Sequence, residues 1–303
     1  MHFGDFWKMK AIQRCLPNIG KEVIMGENFS EQNTVTLFHG DCMNLLPQIP
    51  DESAILVVTS PPYNIGKEYE AVISLEEYYE SQRRVIRECY RILNPKGSIC
   101  WETGNYVEDG VILPLDLFLF PIFDELNLFL RNRIVWHFGH GLHSTNRFSG
   151  RYETIMWFTK SKEDYIFNLD PVRIPQKYPT KKYYKGPKRG QLSGHPKGKN
   201  PSDVWDIPNV KANHVEKFIH PCQFPVGMIE RLVLSMTNEG DLVVDPFIGV
   251  GSTAVAAIMH NRRCAGADTE NKYIDIARER VVLAAEGRLR TRPMNKPVYG
   301  HRG

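Results

Sequence analysis

The chain has 303 residues, with 38 Lys and Arg, 35 Asp and Glu, and 42% hydrophobic residues. This length accommodates one large or two modest domains, and it allows a core that needs no disulfide or metal to fold. Aromatic residues at 11% and charged residues at 24% are ordinary globular values, which argues against a wholly disordered or fibrous protein. The net charge of +3 is too small to identify a partner by itself.

The cysteine, histidine and apolar patterns predict a soluble, cytoplasmic protein with reduced thiols and no metal site. The six cysteines include no Cys-x-x-Cys pair, and no closely spaced zinc ligands stand out among the ten histidines. His137, His140 and His143 lie close together in sequence, but nothing else marks a metal site there. The first residues lack the apolar core of a signal peptide. The most apolar stretch, 111–130, is too polar for a membrane span and predicts a buried helix or a helix with a turn.

Residues 1–33 show weak periodicity and predict a loosely docked arm, after which strands and helices alternate. In chain order, the pattern predicts strands at 34–39 and 54–59, a helix at 75–93, strands at 98–102, 134–138 and 154–159, a helix at 225–237, a strand at 241–244, a helix at 252–260, a strand at 264–268 and a helix at about 272–289. Continuous apolar strands separated by helices predict a mainly parallel sheet covered on both faces.

A basic segment interrupts this alternation. Between positions 171 and 202 there is no acidic residue but there are nine Lys or Arg, with tyrosines, prolines and glycines interleaved. The α/β pattern resumes afterwards, so the segment is predicted to be an insertion within one α/β domain. A charge run of this kind is usually a solvated, flexible loop, and binding to nucleic acid phosphates is the alternative.

The segment Asp245-Pro-Phe-Ile-Gly-Val-Gly-Ser-Thr253 follows an apolar strand and opens a predicted helix. A glycine-bearing turn there lets a ligand approach the backbone, and Asp268, which ends the next strand, is placed to hold ribose hydroxyls. The third glycine of a dinucleotide fingerprint is missing, and the acidic residue at the head of the turn would repel phosphate. A positively charged, phosphate-free nucleoside cofactor fits better. The alternative is a purely structural turn, since many strand–helix turns need glycine.

The segment Thr59-Ser60-Pro61-Pro62-Tyr63-Asn64 completes and follows another apolar strand. Its two prolines fix the backbone and remove two donors, so nearby carbonyls face whatever lies beyond the strand end. Such a site suits a planar substrate with an amino group. Ser60 and the Pro61 carbonyl would accept the amino protons while Tyr63 stacks on the ring. The alternative is an ordinary strand-ending turn in which Tyr63 packs into the core.

These motifs resemble those of the amino-group DNA methyltransferases that use S-adenosylmethionine. The catalytic motif comes first, then the basic segment, then the cofactor motif, and this order resembles the permuted β-type arrangement of these enzymes. The resemblance covers roughly residues 34–285 and includes Gly40-Asp41 with Leu45-Leu46, Arg91-Ile-Leu-Asn-Pro-Lys-Gly97, Asn146-Arg147-Phe148 with Glu153, and His220-Pro-Cys-Gln-Phe-Pro225. It implies a Rossmann-like α/β methyltransferase fold with a mainly parallel central sheet, permuted motif order and an inserted basic target-recognition region.

The resemblance implies how the matched part of the chain divides, and it leaves the first 33 and about the last 18 residues unexplained. An N-terminal arm, 1–33, would precede the catalytic half of the methyltransferase domain, 34–164. A target-recognition and DNA-binding insertion, 165–212, would separate it from the cofactor-binding half, 213–290. Residues 291–303 would form a C-terminal tail.

The resemblance implies a role for individual residues. Ser60, Pro61, Pro62 and Tyr63 would be the catalytic tetrapeptide. The residues that would bind the cofactor are Asp41, Cys42, Ser60, His220, Gln223, Phe224, Asp245, Pro246, Phe247, Gly249, Gly251, Ser252, Thr253 and Asp268. Within that set, the turn from Asp245 would surround the methionine part, Asp268 would bind the ribose and Asp41 would lie near the adenine. Candidates for contacting DNA are Lys181, Lys182, Lys188, Arg189 and Arg147.

Serine at the head of the tetrapeptide resembles the enzymes that methylate N4 of a flipped-out cytosine in duplex DNA. Adenine-N6 methylation is the alternative, because serine and aspartate both accept a hydrogen bond from an amino group. A catalytically silent DNA-binding module is a further alternative, and a nicotinamide-dependent oxidoreductase is disfavoured by the missing glycine. The expected partners are double-stranded DNA and, in a restriction–modification system, a cognate restriction endonuclease. The protein is expected to act as a monomer or homodimer, away from membranes.

Overall fold

The computed structural model describes residues 13–15, 22–64, 73–139, 141, 143–211 and 214–296. The strands are β1 (Gln13–Cys15), β2 (Glu22–Gly26), β3 (Val35–His39), β4 (Ala54–Thr59), β5 (Leu93–Thr103), β6 (Asn105–Glu108), β7 (Val111–Pro114), β8 (Phe129–His137), β9 (Tyr152–Thr159), β10 (Val204–Asp206), β11 (Leu242–Asp245) and β12 (Arg263–Asp268). The helices are α1 (Cys42–Leu45), α2 (Leu75–Ile92), α3 (Leu115–Glu125), α4 (Val226–Met236), α5 (Ser252–Met259) and α6 (Asn271–Ala285).

The strands form one large sheet and one hairpin. The order in the large sheet is β1-β2-β3-β12-β11-β4-β5-β9-β8-β10, and β6 pairs with β7 separately. The run from β2 to β5 is parallel throughout, whereas β9 pairs antiparallel with both β5 and β8. The predicted Rossmann-like α/β fold with a mainly parallel central sheet and permuted motif order is therefore confirmed.

Helices cover both faces of the sheet, and the alternation of side chains along each strand divides the core in two. Leu56 and Val58 of β4 face the cluster that includes α4, α5 and α6. Val57, which lies between them, faces the cluster that includes α1, α2 and α3. Each fully buried aliphatic side chain contributes about 1.5–3 kcal/mol, so both faces hold the strands in a fixed register.

Most predicted elements occur within a few residues of their expected bounds, and the strand predicted at 54–59 is β4 itself. The strand predicted at 98–102 is longer, because β5 begins at Leu93, where α2 ends. Leu93 pairs with Ala54, and the register shifts before Ser98 pairs with Leu56. The turn signal at 94–97 therefore produces an irregularity inside a strand rather than a gap before it.

Two expectations need correction. Residues 111–130 are not one helix with a turn, because β7 precedes α3 and β8 begins at Phe129. Residues 22–33 are not loosely docked, because β2 pairs in parallel with β3 and Arg263 donates hydrogen bonds to the carbonyls of Ser30 and Asn33. A strand of five residues such as β2 is too short to show a period in the sequence. Residues 1–12 and 16–21 of the predicted arm lie outside the described residues.

The parallel strands bring their carboxyl ends to one edge of the sheet. Four neighbouring strands, β3, β12, β11 and β4, end there at His39, Asp268, Asp245 and Thr59. The predicted cofactor and catalytic motifs both follow strands that end at this edge. Ligands of open α/β sheets bind in the crevice outside the carboxyl ends of the strands, so this edge is where a site is expected.

The basic segment leaves the sheet after β9, and the chain returns through β10, which pairs in parallel with β8. Within it, isolated antiparallel bridges join Ile174 to Lys199 and Lys182 to Leu192. Residues 177–192 are all exposed. No helix among the described residues is long and apolar enough to cross a bilayer.

Candidate active site

A cavity of about 300 Å³ opens at the carboxyl edge of the sheet. The catalytic residues predicted from the sequence, Ser60, Pro61, Pro62 and Tyr63, all line it, as do the predicted cofactor residues Asp41, Cys42, His220, Gln223, Phe224, Asp245, Pro246, Phe247, Gly249, Ser252, Thr253 and Asp268. The structure therefore brings two motifs that are far apart in the chain to one cavity. No Lys or Arg is among the described residues that line it.

Asp245 joins the catalytic segment to the cofactor turn. Its carboxylate accepts hydrogen bonds from the hydroxyls of Thr59 and Thr253, both at 2.6 Å, and from the Phe247 amide at 3.1 Å. Burial raises the pKa of Asp245 to about 6, against the lowering effect of these three donors. The side chain fixes the geometry of the turn from within.

The two glycines of the turn, Gly249 and Gly251, are required for different structural reasons. Both have positive φ, 50° at Gly249 and 78° at Gly251, a region that side chains rarely adopt. A Cβ at Gly249 would lie 3.2 Å from Nε2 of His220, so this glycine keeps the turn open beside the cavity. A Cβ at Gly251 would lie 2.7 Å from the Cβ of Ala277 in α6. Gly251 is not among the residues lining the cavity, and it serves the packing of α5 on α6 instead.

The segment from His220 to Phe224 borders the cavity through a network of its own. Gln223 is buried, and its amide accepts from the Phe218 backbone and donates to the Glu216 carbonyl. The Phe224 carbonyl accepts a hydrogen bond from the Ser252 hydroxyl at 2.8 Å. The Phe224–Ser252 bond ties the segment to the start of α5, and the two Gln223 bonds tie it to residues 216–218.

Two acidic residues lie at neighbouring strand ends. Asp268 accepts a hydrogen bond from the Glu270 amide at 2.8 Å, and burial raises its pKa. Asp41 caps α1 by accepting from the Met43 amide at 2.8 Å. Burial and the charge of Asp41 raise the pKa of the Cys42 thiol to about 12, so Cys42 lines the cavity as a neutral thiol at neutral pH.

The catalytic segment is held by hydrogen bonds on both sides of its prolines. The Tyr78 hydroxyl donates to the Pro62 carbonyl at 3.0 Å. The Ser60 and Tyr63 hydroxyl oxygens lie 3.1 Å apart, and the Tyr63 hydroxyl donates to Glu102. Burial, followed by the negative charge of Glu102, raises the pKa of Tyr63 well above its ordinary value. Tyr63 is therefore a neutral phenol with a fixed hydroxyl, and not simply a core side chain.

Several residues of this site were missed by sequence reasoning. Tyr273 of α6 lines the cavity, and its ring makes an edge-to-face contact with His220 at 4.6 Å. Nothing in the spacing of α6 distinguishes it from a core aromatic residue. Cys222 and Thr269 also line the cavity and directly adjoin predicted residues. Glu102 could have been suspected, because it is an acidic residue that directly follows the apolar run Ile99–Trp101 in β5, next to β4.

The predicted DNA-contacting residues lie outside the cavity, all exposed at the surface. Lys181, Lys182, Lys188 and Arg189 belong to the basic segment, and none forms an ion pair with a described residue; Arg147 lies on the loop between β8 and β9. In contrast, Arg173 and Lys197 of the basic segment both pair with Asp170, and these two cations lower the pKa of Asp170 to about 2.

The two described histidines near the end of β8, His137 and His143, belong to no recognisable metal site. His137 hydrogen-bonds Asp206 at 2.7 Å, and His143 lies near Arg151. His140 lies outside the described residues. Across the described ranges, no group of three or more His, Cys, Asp or Glu is arranged to hold a metal ion.

The protein has a mainly parallel sheet, with this cavity and a Ser-Pro-Pro-Tyr segment at its carboxyl edge. This is the architecture of Rossmann-like methyltransferases. Comparison with known proteins narrows this class. A family model described as DNA methylase, which covers N6 and N4 methyltransferases, matches residues 54–279. The chain belongs to this DNA methylase family, and the resemblance inferred from its motifs is confirmed.

Individual relatives agree with this assignment. The chain is 55% identical over 251 residues to the type II methyltransferase M.BglII of Bacillus subtilis, covering 82% of this chain and 69% of the relative. It is 30% identical to the DNA adenine methyltransferase YhdJ of Escherichia coli K12, covering 82% and 83%. A protein of Thermus thermophilus, solved in complex with S-adenosyl-L-methionine, superposes with a TM-score of 0.59 at 26% identity, covering 83% of this chain and 94% of that one.

Proposed function

We propose that this protein is a site-specific methyltransferase that transfers a methyl group from S-adenosylmethionine to N4 of a flipped-out cytosine in duplex DNA. One observation carries the proposal. Ser60 and Tyr63 line the same cavity as Asp245 and Asp268, so an acceptor for an amino group adjoins a site of cofactor type.

The cavity fits the proposed methyl donor chemically. Carboxylic acids and no Lys or Arg line it among the described residues, which suits a cationic, phosphate-free ligand. When bound, S-adenosylmethionine supplies an electrophilic methyl group on a sulfonium. In our proposal His220, Gln223 and the turn from Asp245 hold its methionine end, Asp268 holds the ribose, and Asp41 with Cys42 lies by the adenine. Gly251 would act indirectly, through the packing of α5.

The catalytic segment would activate the amine by accepting its protons. An exocyclic amine is a poor nucleophile, because its lone pair is delocalised into the base. Hydrogen bonds from the amine to the Ser60 hydroxyl and the Pro61 carbonyl would favour a pyramidal nitrogen with a free lone pair. Tyr63 would stack on the flipped base. Positioning of this kind supplies much of the rate in a two-substrate transfer.

The choice of base rests on Ser60. Serine at this position resembles the cytosine-N4 enzymes, which supports cytosine as the target. Adenine-N6 is the second candidate, favoured by the 30% identity to a relative named as an adenine methyltransferase. The fold and the cavity serve either base, since both present an amino group on a planar ring.

The exposed lysines support double-stranded DNA as the substrate. Lys181, Lys182, Lys188 and Arg189 would contact phosphates in a target-recognition insertion spanning 165–212, with Arg147 alongside. The insertion would separate a catalytic half, 34–164, from a cofactor half, 213–290. Kinship with a type II methyltransferase supports a role in restriction–modification, beside a cognate endonuclease.

The test is nucleoside mass spectrometry of DNA incubated with the purified protein and S-adenosylmethionine. N4-methylcytosine is the expected product. N6-methyladenine would keep the fold and the chemistry but overturn the base assignment. No methylated base on DNA of varied sequence, with cofactor binding retained, would favour a catalytically silent DNA-binding module.

A further inference from the structure

A buried carboxyl group lies behind the catalytic segment. Glu102, near the end of β5, is 1% exposed, and no Lys, Arg or His among the described residues pairs with it. Burying a carboxyl group without a cation is costly unless hydrogen bonds compensate. An apolar residue would satisfy this core position at lower cost, so the carboxyl group calls for a reason other than stability.

The hydrogen bonds of Glu102 lead to the catalytic segment. Its Oε2 accepts a hydrogen bond from the hydroxyl of Tyr63, which lies 3.1 Å from the Ser60 hydroxyl. Its Oε1 is buried and accepts no hydrogen bond from the described residues. Glu102 also interacts with the carboxyl group of Glu153, and burial together with that second negative charge raises the pKa of Glu102. The Tyr63 hydroxyl therefore donates to a buried carboxyl group that no cation of the described residues neutralises.

The ring of Tyr63 is held at its edge as well as at its hydroxyl. A Cβ at Gly104 would lie 3.0 Å from Cε2 and 3.3 Å from Cδ2 of Tyr63. The same Cβ would lie 3.6 Å from Cγ of Glu153. The absence of a side chain at position 104 is what allows the ring to lie against the end of β5.

We propose that Glu102 and Gly104 form a seat that fixes the orientation of the Tyr63 ring, against which the target base stacks. This inference rests on the proposed function, because it takes the stacking role of Tyr63 from there. Glu102 is a positioning residue in this account: it does not contact the base and acts on it through Tyr63, and its carboxyl group also interacts with the Ser60 hydroxyl. A displacement of about 1 Å in a reacting assembly can lower a rate by about 100-fold, so the seat is a determinant of turnover.

A double-mutant cycle tests the seat. Glu102→Leu removes the acceptor while keeping the core filled, and Tyr63→Phe removes the donor while keeping the ring. Each variant is expected to lower the single-turnover rate of tritiated methyl transfer to DNA by about 10-fold or more, with cofactor affinity unchanged. The double variant is expected to be no slower than the slower single variant, because both remove the same hydrogen bond.

Three further variants separate positioning from a general structural role. Glu102→Gln keeps an oxygen that can accept from Tyr63 and is expected to recover most of the rate. Gly104→Ala crowds the ring without touching the carboxyl group and is expected to slow transfer. Tyr79→Phe removes a hydroxyl from a tyrosine of α2 that packs on Phe118, and it is expected to leave the rate unchanged. The melting temperature of Glu102→Leu is expected to stay level or rise, because an uncompensated buried carboxyl group is gone.

Losses that multiply in the double variant would overturn the proposal, since Glu102 would then act independently of the Tyr63 hydroxyl. A wild-type rate in Glu102→Leu, or in Gly104→Ala, would overturn it as well. These outcomes are distinct from failure of the proposed function, which would show as an absence of methyl transfer by the unaltered protein in the same assay.

Discussion

The cofactor turn, 245–253, and the basic segment, 171–202, use polar residues in opposite ways. In the turn, the buried Asp245 has three donors on its carboxylate, and glycines occupy positions that only glycine tolerates well. In the basic segment, most Lys and Arg side chains project into solvent, and isolated bridges join its extended stretches. Hydrogen bonds and backbone geometry fix the conformation of the turn, whereas the distinguishing property of the basic segment is its positive charge.

The difference follows from what each region has to bind in the proposed function. A cofactor must be placed to within a fraction of an ångström for an in-line transfer, so a site with fixed side chains favours the reaction. Phosphates attract cations over several ångströms, and the released counterions provide the free energy without requiring fixed side chains. Substitutions should therefore have large, local effects at the carboxyl edge and small, additive effects in the basic segment.

The largest effect is expected for Tyr63→Ala at the carboxyl edge. Loss of the ring removes the surface on which the base stacks. Turnover should therefore fall by about 100-fold or more, because a misplacement of about 1 Å between reacting groups can cost about 100-fold in rate. Cofactor affinity should remain nearly intact, because other residues supply that part of the cavity. Steady-state kinetics and calorimetric titration with S-adenosylmethionine measure the two quantities. Equal losses of turnover and affinity would contradict the stacking role.

The next effect is expected for Asp268→Ala. Loss of this acceptor should weaken cofactor binding by about 1–3 kcal/mol, because buried polar partners are left unpaired. Calorimetry measures the affinity, and Glu270→Ala is a matched control, since the Glu270 side chain is exposed and pairs with Lys272. An affinity unchanged by Asp268→Ala would remove this residue from the site.

A smaller effect is expected in the basic segment. The double substitution Lys181→Ala and Lys182→Ala should weaken DNA binding alike for all sequences and reduce the salt dependence of log K by about 2, roughly 0.9 per phosphate contact. Fluorescence anisotropy at several salt concentrations measures this. Lys197→Ala is the control, because Asp170 already neutralises Lys197. A loss of cofactor affinity in the double variant would contradict the separation of roles between the cofactor turn and the basic segment.

The smallest effect is expected from pH. Asp245 has a pKa of about 6 before binding, and a cationic ligand favours its ionised form, so binding should lower that pKa and release a proton. Affinity for S-adenosylmethionine should then rise by about twofold between pH 6 and pH 7 and level off above it. Titrations in buffers of different ionisation enthalpy measure the released proton. An affinity that falls between pH 6 and pH 7 would contradict the proposal that ionised Asp245 favours binding of the cationic cofactor.

The parts of the fold and site that the sequence predicts are those with local signatures. Glycines and prolines directly after apolar strands placed both motifs at the carboxyl edge, because parallel strands must all end there. Tyr273 could not be predicted, since it reaches the cavity from α6, and only the packing of the helix on the sheet decides which face it presents. The strand β2 was missed because its five residues owe their conformation to pairing with β3.

The Thr59–Asp245 hydrogen bond joins residues that are 186 positions apart, across the boundary between β4 and β11. The contact requires only that both strand ends reach the same edge of the sheet. It does not depend on whether β4 or β11 comes first in the sequence. A gene rearranged to encode the cofactor turn before the catalytic segment would preserve this contact, provided that its new join fell in an exposed connection. The geometry of the site therefore depends on which strand ends meet at the carboxyl edge of the sheet, and not on the order of the motifs along the chain.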